Sequence, residues 1–177
     1  TIMASLYQKS AVEKTHGENV SVYARQIGEA LQLSEKELET LHWAGLIHDI
    51  GKVTLAPAVL DKEETLTAAE WEALKRHPEI GYHITNSSAE LSEISLVILG
   101  HREWWDGSGY PKGLSGRKIP LLARIIGLAE AYDALLTEQP YRPAVTTSQA
   151  LTVIVQGSGT QFDPTIAAVL VDRVIGV

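Results

Sequence analysis

The stretch Leu46-Ile47-His48-Asp49-Ile50 places two ionisable side chains inside an apolar run. Burying an imidazole and a carboxylate beside isoleucines costs free energy unless the two groups pair or bind a cation. Neighbouring residues on a helix point about 100° apart, so an ion between them can take an imidazole nitrogen and a carboxylate oxygen. His48 and Asp49 therefore indicate a metal site near the end of a helix.

The chain contains no cysteine, which excludes disulfides, thiolate ligands and a cysteine nucleophile. Mixed imidazole and carboxylate ligands suit Fe, Mn, Zn and similar ions, and without thiolates the site favours the harder of them. An aspartate can also bridge two ions, and two ions about 3.5–4 Å apart can hold a phosphoryl group and activate a water. These residues predict a metal site and leave its substrate open.

The composition is that of one globular domain. The 177 residues are 45% apolar and 21% charged, which excludes a disordered or fibrous chain. The formal net charge of -7 argues against duplex nucleic acid as a partner. An anionic substrate would need cations gathered locally. No apolar run is long enough to span a membrane, and we expect a cytoplasmic domain.

Apolar residues recur with helical spacing along nearly the whole chain, which predicts an all-α fold. Ser34 with Glu37 and Thr67 with Glu70 form capping boxes, the pattern that opens a helix. Thr147 or Ser148 is expected to cap a later one. Helices are predicted at residues 17–33, 35–48, 68–76, 78–86, 91–100 and 121–136, from the cap at Thr147 or Ser148 to residue 155, and from residue 164 onward. Loops are predicted at 52–65, with room for one short turn, and at 105–120.

Two segments carry a resemblance to a known family. His48-Asp49-Ile50-Gly51-Lys52 resembles the HDIGK signature of HD domains, and the segment from His101 to Pro111 is similar to the HHExxDGxGYP motif of the HD-GYP group. Further segments similar to that group follow in the same order. They are His77–Gly81, Ile119–Ile125, Pro140–Pro143 and Gly159–Pro164.

The resemblance implies a single-domain bundle of about seven helices around a metal centre, an HD-domain core with a C-terminal Gly-Tyr-Pro extension. It implies hydrolysis of cyclic di-GMP to linear pGpG, to GMP, or to both, in bacterial second-messenger signalling. One or two divalent ions, Fe or Mn, would be the cofactors. Residues 1–177 would be a domain excised from a longer multidomain signalling protein.

The resemblance also implies roles for single residues. The metal ligands would be His16, His48, Asp49, His77, His101 and Glu130. The catalytic residues would be Asp49 and Lys52, with Lys52 against the substrate phosphate. Substrate contacts would come from Lys52, Arg102, Tyr110, Arg124 and Arg142, with structural ion pairs as the alternative for Arg124 and Arg142. The Gly-Tyr-Pro loop would shape the nucleotide pocket or bind a signalling partner such as a GGDEF-type protein.

The chain departs from the family pattern at three positions. Arg102 stands where the family has a second histidine, and its guanidinium stays protonated and cannot ligate a metal. Glu130 stands where the family has an aspartate. Val12 stands where some members have a glutamate for a third ion. One hypothesis is that Arg102 replaces the charge of a lost metal ion and meets the substrate phosphate as a guanidinium fork.

Two alternatives stay open at this point. A degenerate domain could bind cyclic di-GMP or a partner protein without efficient hydrolysis, and exposed rings at Trp104 and Trp105 would suit such an interface. Packing in the core is the other interpretation of these two rings. An HD phosphohydrolase could also act on a mononucleotide or on a different cyclic dinucleotide.

Overall fold

The computed structural model describes residues 4, 8, 11–139 and 142–176, which are largely helical and form no β-strand. The predicted all-α fold is confirmed, and none of the helices described is long and apolar enough to cross a membrane. The helices are α1 (Ala11–Ala30), α2 (Glu35–Ile47), α3 (Pro57–Leu60), α4 (Ala68–Lys75), α5 (His77–Asn86), α6 (Ser92–Gly100), α7 (Leu121–Leu136), α8 (Thr147–Gly157) and α9 (Pro164–Val169). A π-helical stretch, Leu170–Ile175, continues α9, and 3-10 turns lie at Ile50–Thr54 and Gly116–Lys118.

Among the described residues, side-chain caps set the starts of four helices, α2, α4, α8 and α9, the last through Asp163. Ser34 and Thr67 cap α2 and α4, and both predicted capping boxes are confirmed. The prediction of Thr147 or Ser148 as the cap of α8 is wrong, because Thr146 is the N-cap. Gln149 stands three residues after Thr146, where its side chain reaches back to the N-cap amide and completes a third capping box.

The hydrophobic core lies where α1, α2 and α7 pack together, with α6, α8 and α9 closing it. Ile27, Leu41, Ile98, Ile126 and Ile154 are fully buried. Each such side chain contributes about 1.5–3 kcal/mol relative to an exposed one. The core therefore fixes the relative positions of the helix ends that carry the polar centre.

Two glycines allow unusually close approach beside that centre. A Cβ at Gly45 of α2 would lie 2.4 Å from Cα of Ser21 in α1. A Cβ at Gly51 would lie 1.9 Å from the carbonyl oxygen of His77. Because only glycine fits there, the 3-10 turn after Asp49 can lie directly on the start of α5.

Candidate metal centre

All six predicted ligands lie in one region of the bundle. The histidines and acids come from α1, α7 and the ends of α2, α5 and α6. They form two groups in which the potential ligand atoms lie within 4.8 Å of one another. The first group is His16, His48, Asp49 and Glu130, and the second is Asp49, His77 and His101. Their role as ligands stays a prediction, but the geometry that it requires is present.

Asp49 belongs to both groups and is buried. Its Oδ1 lies 3.1 Å from Nε2 of His77 and 3.8 Å from Nε2 of His101. Its Oδ2 lies 3.3 Å from Nε2 of His48. The two oxygens thus point to different histidine sets, which is the arrangement expected of a carboxylate that bridges two cations.

Three histidines take their orientation from the same local contact. Nδ1 of His48 lies 2.8 Å from the carbonyl oxygen of Gly45, and Nδ1 of His77 lies 2.6 Å from that of Leu74. Nδ1 of His101 lies 2.6 Å from the carbonyl oxygen of Ile98. Because a carbonyl only accepts, each Nδ1–H donates to it. The lone pair of each neutral imidazole is therefore on Nε2, the nitrogen that faces Asp49.

The buried Nε2 of His48 has no hydrogen-bond partner among the described residues. Two acceptors, this nitrogen and Oδ2 of Asp49, thus lie side by side, which costs free energy unless a cation or a proton sits with them. Burial alone lowers the pKa of His48, but the Asp49 carboxylate outweighs it and raises that pKa to about 9. A divalent cation would satisfy the same acceptors, so the donor set fits a metal.

The other two buried histidines behave differently. Burial lowers the pKa of His77, and it lowers the pKa of His101 to about 3. Both imidazoles are therefore neutral at pH 7 and present a lone pair to a cation. The remaining histidines lie elsewhere, as predicted: His42 contacts Ser21 Oγ through Nδ1 at 2.8 Å, and His83 is exposed.

Asp133 is a residue of the site that the sequence interpretation missed. Its Oδ2 lies 2.6 Å from Nδ1 of His16, and its Oδ1 accepts from the Asn19 amide at 2.9 Å. A carboxylate on one imidazole nitrogen orients the ring and leaves Nε2 as the ligand atom. The only cue in the sequence was a second acid one turn after Glu130 in the apolar helix α7.

Lys52 lies between two acids at the edge of the centre. Its Nζ is 2.7 Å from Oδ2 of Asp49 and 3.1 Å from Oε1 of Glu13. Burial lowers the pKa of Lys52, but Asp49 and Glu13 raise it above its usual value, so the ammonium is charged. In turn, burial raises the pKa of Asp49, while Lys52 and His48 hold it well below its usual range.

Arg102 pairs with the predicted ligand Glu130. Its Nη2 lies 2.6 Å from Oε1 of Glu130. Burial raises the pKa of Glu130, but the guanidinium outweighs this and lowers it to about 2. A fixed cation thus already lies against one of the four potential ligands in the first group. The second group has no arginine contact of this kind among the described residues.

A cavity of about 720 Å³ opens onto the centre. This volume is in the range of small-molecule sites. The residues of the centre that line this cavity are Glu13, His16, Lys52, His101, Arg102 and Glu130. Two predicted substrate residues, Lys52 and Arg102, are thus in the lining. Both are cations at the cavity wall, but each is paired with acids there, so an anionic ligand would have to compete with Glu13, Asp49 and Glu130 for them.

The other predicted substrate residues have clear structural contacts. Arg124 lines the cavity, but its guanidinium pairs with Asp163 and lies 5.8 Å from the ring centre of Trp105. Arg142 donates to the carbonyl oxygen of Ala134 at 2.7 Å. The ion pair favours the structural alternative for Arg124. Arg142 contacts backbone carbonyls, so its structural ion pair and the substrate roles of both arginines stay predictions. Pro140 and Tyr141, of the same predicted motif, lie outside the described residues.

The Gly-Tyr-Pro loop is held by the residue after Arg102. The buried carboxylate of Glu103 accepts from the amides of Lys112 at 2.7 Å and Leu114 at 2.9 Å. The Tyr110 amide donates to the Arg102 carbonyl at 3.1 Å, and the Tyr110–Pro111 bond is cis. The loop is thereby tied to the turn that carries His101.

The two neighbouring tryptophans differ in environment. Trp105 is half-buried beneath Arg124, and its amide donates to the Gln161 carbonyl at 3.1 Å. Trp104 is 40% exposed, and both tryptophans line the cavity. Packing against Arg124 therefore accounts for much of the Trp105 ring, whereas the Trp104 ring is more accessible.

This geometry agrees with comparison to known proteins. Residues 2–166 match the HD domain family. The chain belongs to that family. It is 42% identical over 149 residues to the cyclic di-GMP phosphodiesterase response regulator RpfG of Xanthomonas campestris pv. campestris, covering 83% of the chain and 39% of that protein. It is 36% identical over 162 residues to the 3′3′-cGAMP-specific phosphodiesterase 3 of Vibrio cholerae, covering 92% of the chain and 35% of that protein. The domain thus spans well under half of these relatives.

Solved structures share the fold. An HDG"Y"P protein from Bdellovibrio bacteriovorus matches with a TM-score of 0.74 and 21% identity, over 93% of this chain and 53% of that one. A cyclic GMP-AMP specific phosphodiesterase from V. cholerae matches with a TM-score of 0.72 and 21% identity, over 98% of this chain and 48% of that one. The HD-GYP resemblance inferred from the motifs is confirmed.

Proposed function

We propose that this domain is a metal-dependent phosphodiesterase that hydrolyses a cyclic dinucleotide, with cyclic di-GMP as the first candidate. The proposal rests on the position of Asp49, which belongs to both ligand groups and lies beside a cavity lined by Lys52 and Arg102. The substrate class is supported by the two relatives above, a cyclic di-GMP phosphodiesterase and a 3′3′-cGAMP-specific phosphodiesterase.

The proposed reaction is attack of water on phosphorus. A new oxygen–phosphorus bond forms as the bond to the 3′-oxygen breaks, the leaving oxygen gains a proton, and the product is the linear dinucleotide pGpG. Bound divalent ions supply Lewis-acid polarisation and lower the pKa of water. Lys52 and Arg102 would hold the phosphate by charge, and Asp49 would contribute a carboxylate oxygen to each ligand group.

The proposed metal is Fe or Mn, held by imidazole and carboxylate ligands without thiolates. Asp49, His77 and His101 form the stronger site, because all three are buried and both histidines are neutral. In the other group, Arg102 pairs with Glu130 and Lys52 pairs with Oδ2 of Asp49. A second ion there has to displace these cations, so we infer one tightly bound ion and one weak one.

Metal analysis tests the one-ion proposal. Purified protein loaded with Mn or Fe and then gel-filtered should keep about one ion per chain. Arg102→His removes the fixed cation and adds a ligand, so it should retain a second ion. Arg117→His, in an exposed position, is the matched control and should match the wild type. Two retained ions in the wild type would refute the proposal.

A turnover assay tests the function itself. The Mn- or Fe-loaded protein is incubated with cyclic di-GMP, and chromatography follows the appearance of pGpG and GMP. His77→Ala should abolish product, whereas His83→Ala, in an exposed position away from the ligand groups, should not. Binding without any product would instead favour the non-hydrolysing alternative.

The second candidate substrate is 3′3′-cGAMP, because the 3′3′-cGAMP-specific phosphodiesterase 3 of V. cholerae is 36% identical over 92% of the chain. Parallel assays with both nucleotides decide between them through the ratio of kcat/KM. The proposed GGDEF-type partner of the Gly-Tyr-Pro loop, and the longer signalling protein that would contain residues 1–177, stay predictions.

A further inference from the structure

Part of the cavity lining is apolar and comes from chain segments that supply none of the potential ligands. The segment from α3 to α4 contributes this surface, and the residues involved are Val59, Leu60, Leu66, Trp71 and Leu74. The cavity therefore combines a charged centre with an apolar wall. A nucleotide has the same two parts, a phosphate and a flat aromatic base.

Trp71 is the aromatic side chain of that wall, and 44% of it is exposed. Its ring meets the ring of Tyr110 at 80°, with the centroids 6.4 Å apart. Such an edge-to-face contact orients the indole while leaving aromatic surface open. Among the described residues the cavity lining includes Trp71 but not Tyr110, so the tyrosine supports the ring that faces the ligand space.

The orientation of Trp71 is linked to the metal centre through the backbone. The Tyr110 amide donates to the carbonyl oxygen of Arg102 at 3.1 Å, and Arg102 follows the predicted ligand His101 directly. Tyr110 thus connects the indole to the residue that pairs with Glu130. A base held at Trp71 would be placed at a defined distance from a phosphate held at Arg102.

We propose that Trp71 stacks on a purine base of the nucleotide whose phosphate lies at Lys52 and Arg102. The proposal rests on the cavity being a cyclic-dinucleotide site. An exposed indole at the edge of a cavity is largely apolar, so water solvates it poorly. Stacking a base on it removes the aromatic surfaces of both rings from water. Stacking on an aromatic side chain is tolerant of base identity. Trp71 would therefore set affinity for the dinucleotide, while other contacts choose between guanine and adenine.

The test compares two tryptophans of similar exposure. Trp71→Ala should raise the KM for cyclic di-GMP about five-fold or more while kcat changes less than two- to three-fold, the loss expected when one base-stacking contact is removed. Trp71→Phe should restore most of the affinity, because a smaller ring still stacks. Trp43→Ala removes an indole that is 48% exposed and absent from the cavity lining, and it should leave KM unchanged.

Equilibrium binding separates this inference from the proposed function. Calorimetry with cyclic di-GMP and EDTA-treated protein measures affinity without turnover. If the wild type binds but never yields product, while Trp71→Ala binds more weakly, the stacking stands and the hydrolytic function fails. If the wild type turns over and Trp71→Ala has an unchanged KM and Kd, the stacking is refuted and the function stands.

Discussion

The carboxylate of Asp133 lies 2.6 Å from Nδ1 of His16, although 117 positions separate the two residues. This contact joins α1 to α7 at the centre and directs Nε2 of His16 to the ligand role. Asp133 is itself buried and is also held by the Asn19 amide. We therefore expect part of the proposed metal affinity of the first group to depend on Asp133, which belongs to neither ligand group.

Asp133→Asn keeps the size of the side chain and removes its charge. We expect metal affinity at the His16 and His48 group to fall about 10- to 100-fold, the usual effect of losing a carboxylate behind a histidine ligand. Titration of metal-free protein with Mn, followed by calorimetry, measures it. Asp172→Asn, an exposed acid near the C-terminal end of the fold, is the control. Equal Mn affinity in both variants would rule out an orienting role for Asp133.

The stability of the metal-free protein should depend on pH through His48. Its pKa of about 9 in the folded state lies above the usual 6.5. Protonated His48 therefore contributes fully to the free energy of unfolding below pH 6.5, and this contribution is lost as the pH rises through 9. The loss between pH 6.5 and 9 should be about 2–3 kcal/mol. Urea unfolding in EDTA at several pH values measures the trend.

Two comparisons make that prediction specific. His48→Gln has no titrating imidazole and should lose much less stability over the same interval. His83→Gln, an exposed position, should follow the wild type. Protein in saturating Mn, which also fills the weak first group, should show much less of the loss, because the ion replaces the proton at Nε2 of His48 and binds better as pH rises. An unfolding free energy that is flat from pH 6.5 to 9 in the metal-free wild type would contradict the assignment.

Gly51→Ala tests the close contact between the 3-10 turn and α5. The added Cβ would lie 1.9 Å from the His77 carbonyl oxygen, so backbone has to move. We expect a loss of more than about 3 kcal/mol in unfolding free energy, at or above the upper end for overpacking. Metal affinity should fall as well, because Asp49 and His77 move apart.

Gly116→Ala is the comparison for this variant. Gly116 has a positive φ of 57° but open space around it, so only the left-handed conformation is penalised, by about 1–2 kcal/mol. Thermal and chemical unfolding of both variants, with and without Mn, gives the two effects. A Gly51→Ala protein as stable as Gly116→Ala would show that the turn can relax freely.

Local features were predicted well because their causes lie within a few residues. The helix Leu121–Leu136 has the predicted bounds, since its apolar run begins after Pro120 and ends where the pattern stops. The capping boxes at Ser34 and Thr67 are equally local. The helix predicted at residues 17–33 is described from Ala11 to Ala30, and its residues Val12, Glu13 and His16 line the cavity and do not show a core-facing pattern.

Pairings across the fold were harder to predict. The motifs predicted a metal centre and all six potential ligands, but not which cation faces which acid. The Arg102–Glu130 pair joins the end of α6 to the middle of α7, and the Arg124–Asp163 pair joins α7 to the cap of α9. Such contacts depend on how helices pack, and spacing along one helix carries no information about them.

His48, His77 and His101 share one contact, in which Nδ1–H donates to the carbonyl oxygen three residues earlier. The backbone of each histidine's own turn therefore helps to fix the direction of its ring, in addition to the contacts that Nε2 makes across the centre. Loss of one histidine should therefore leave the other two close to their present orientations. A centre built in this way should tolerate the exchange of its histidines one at a time.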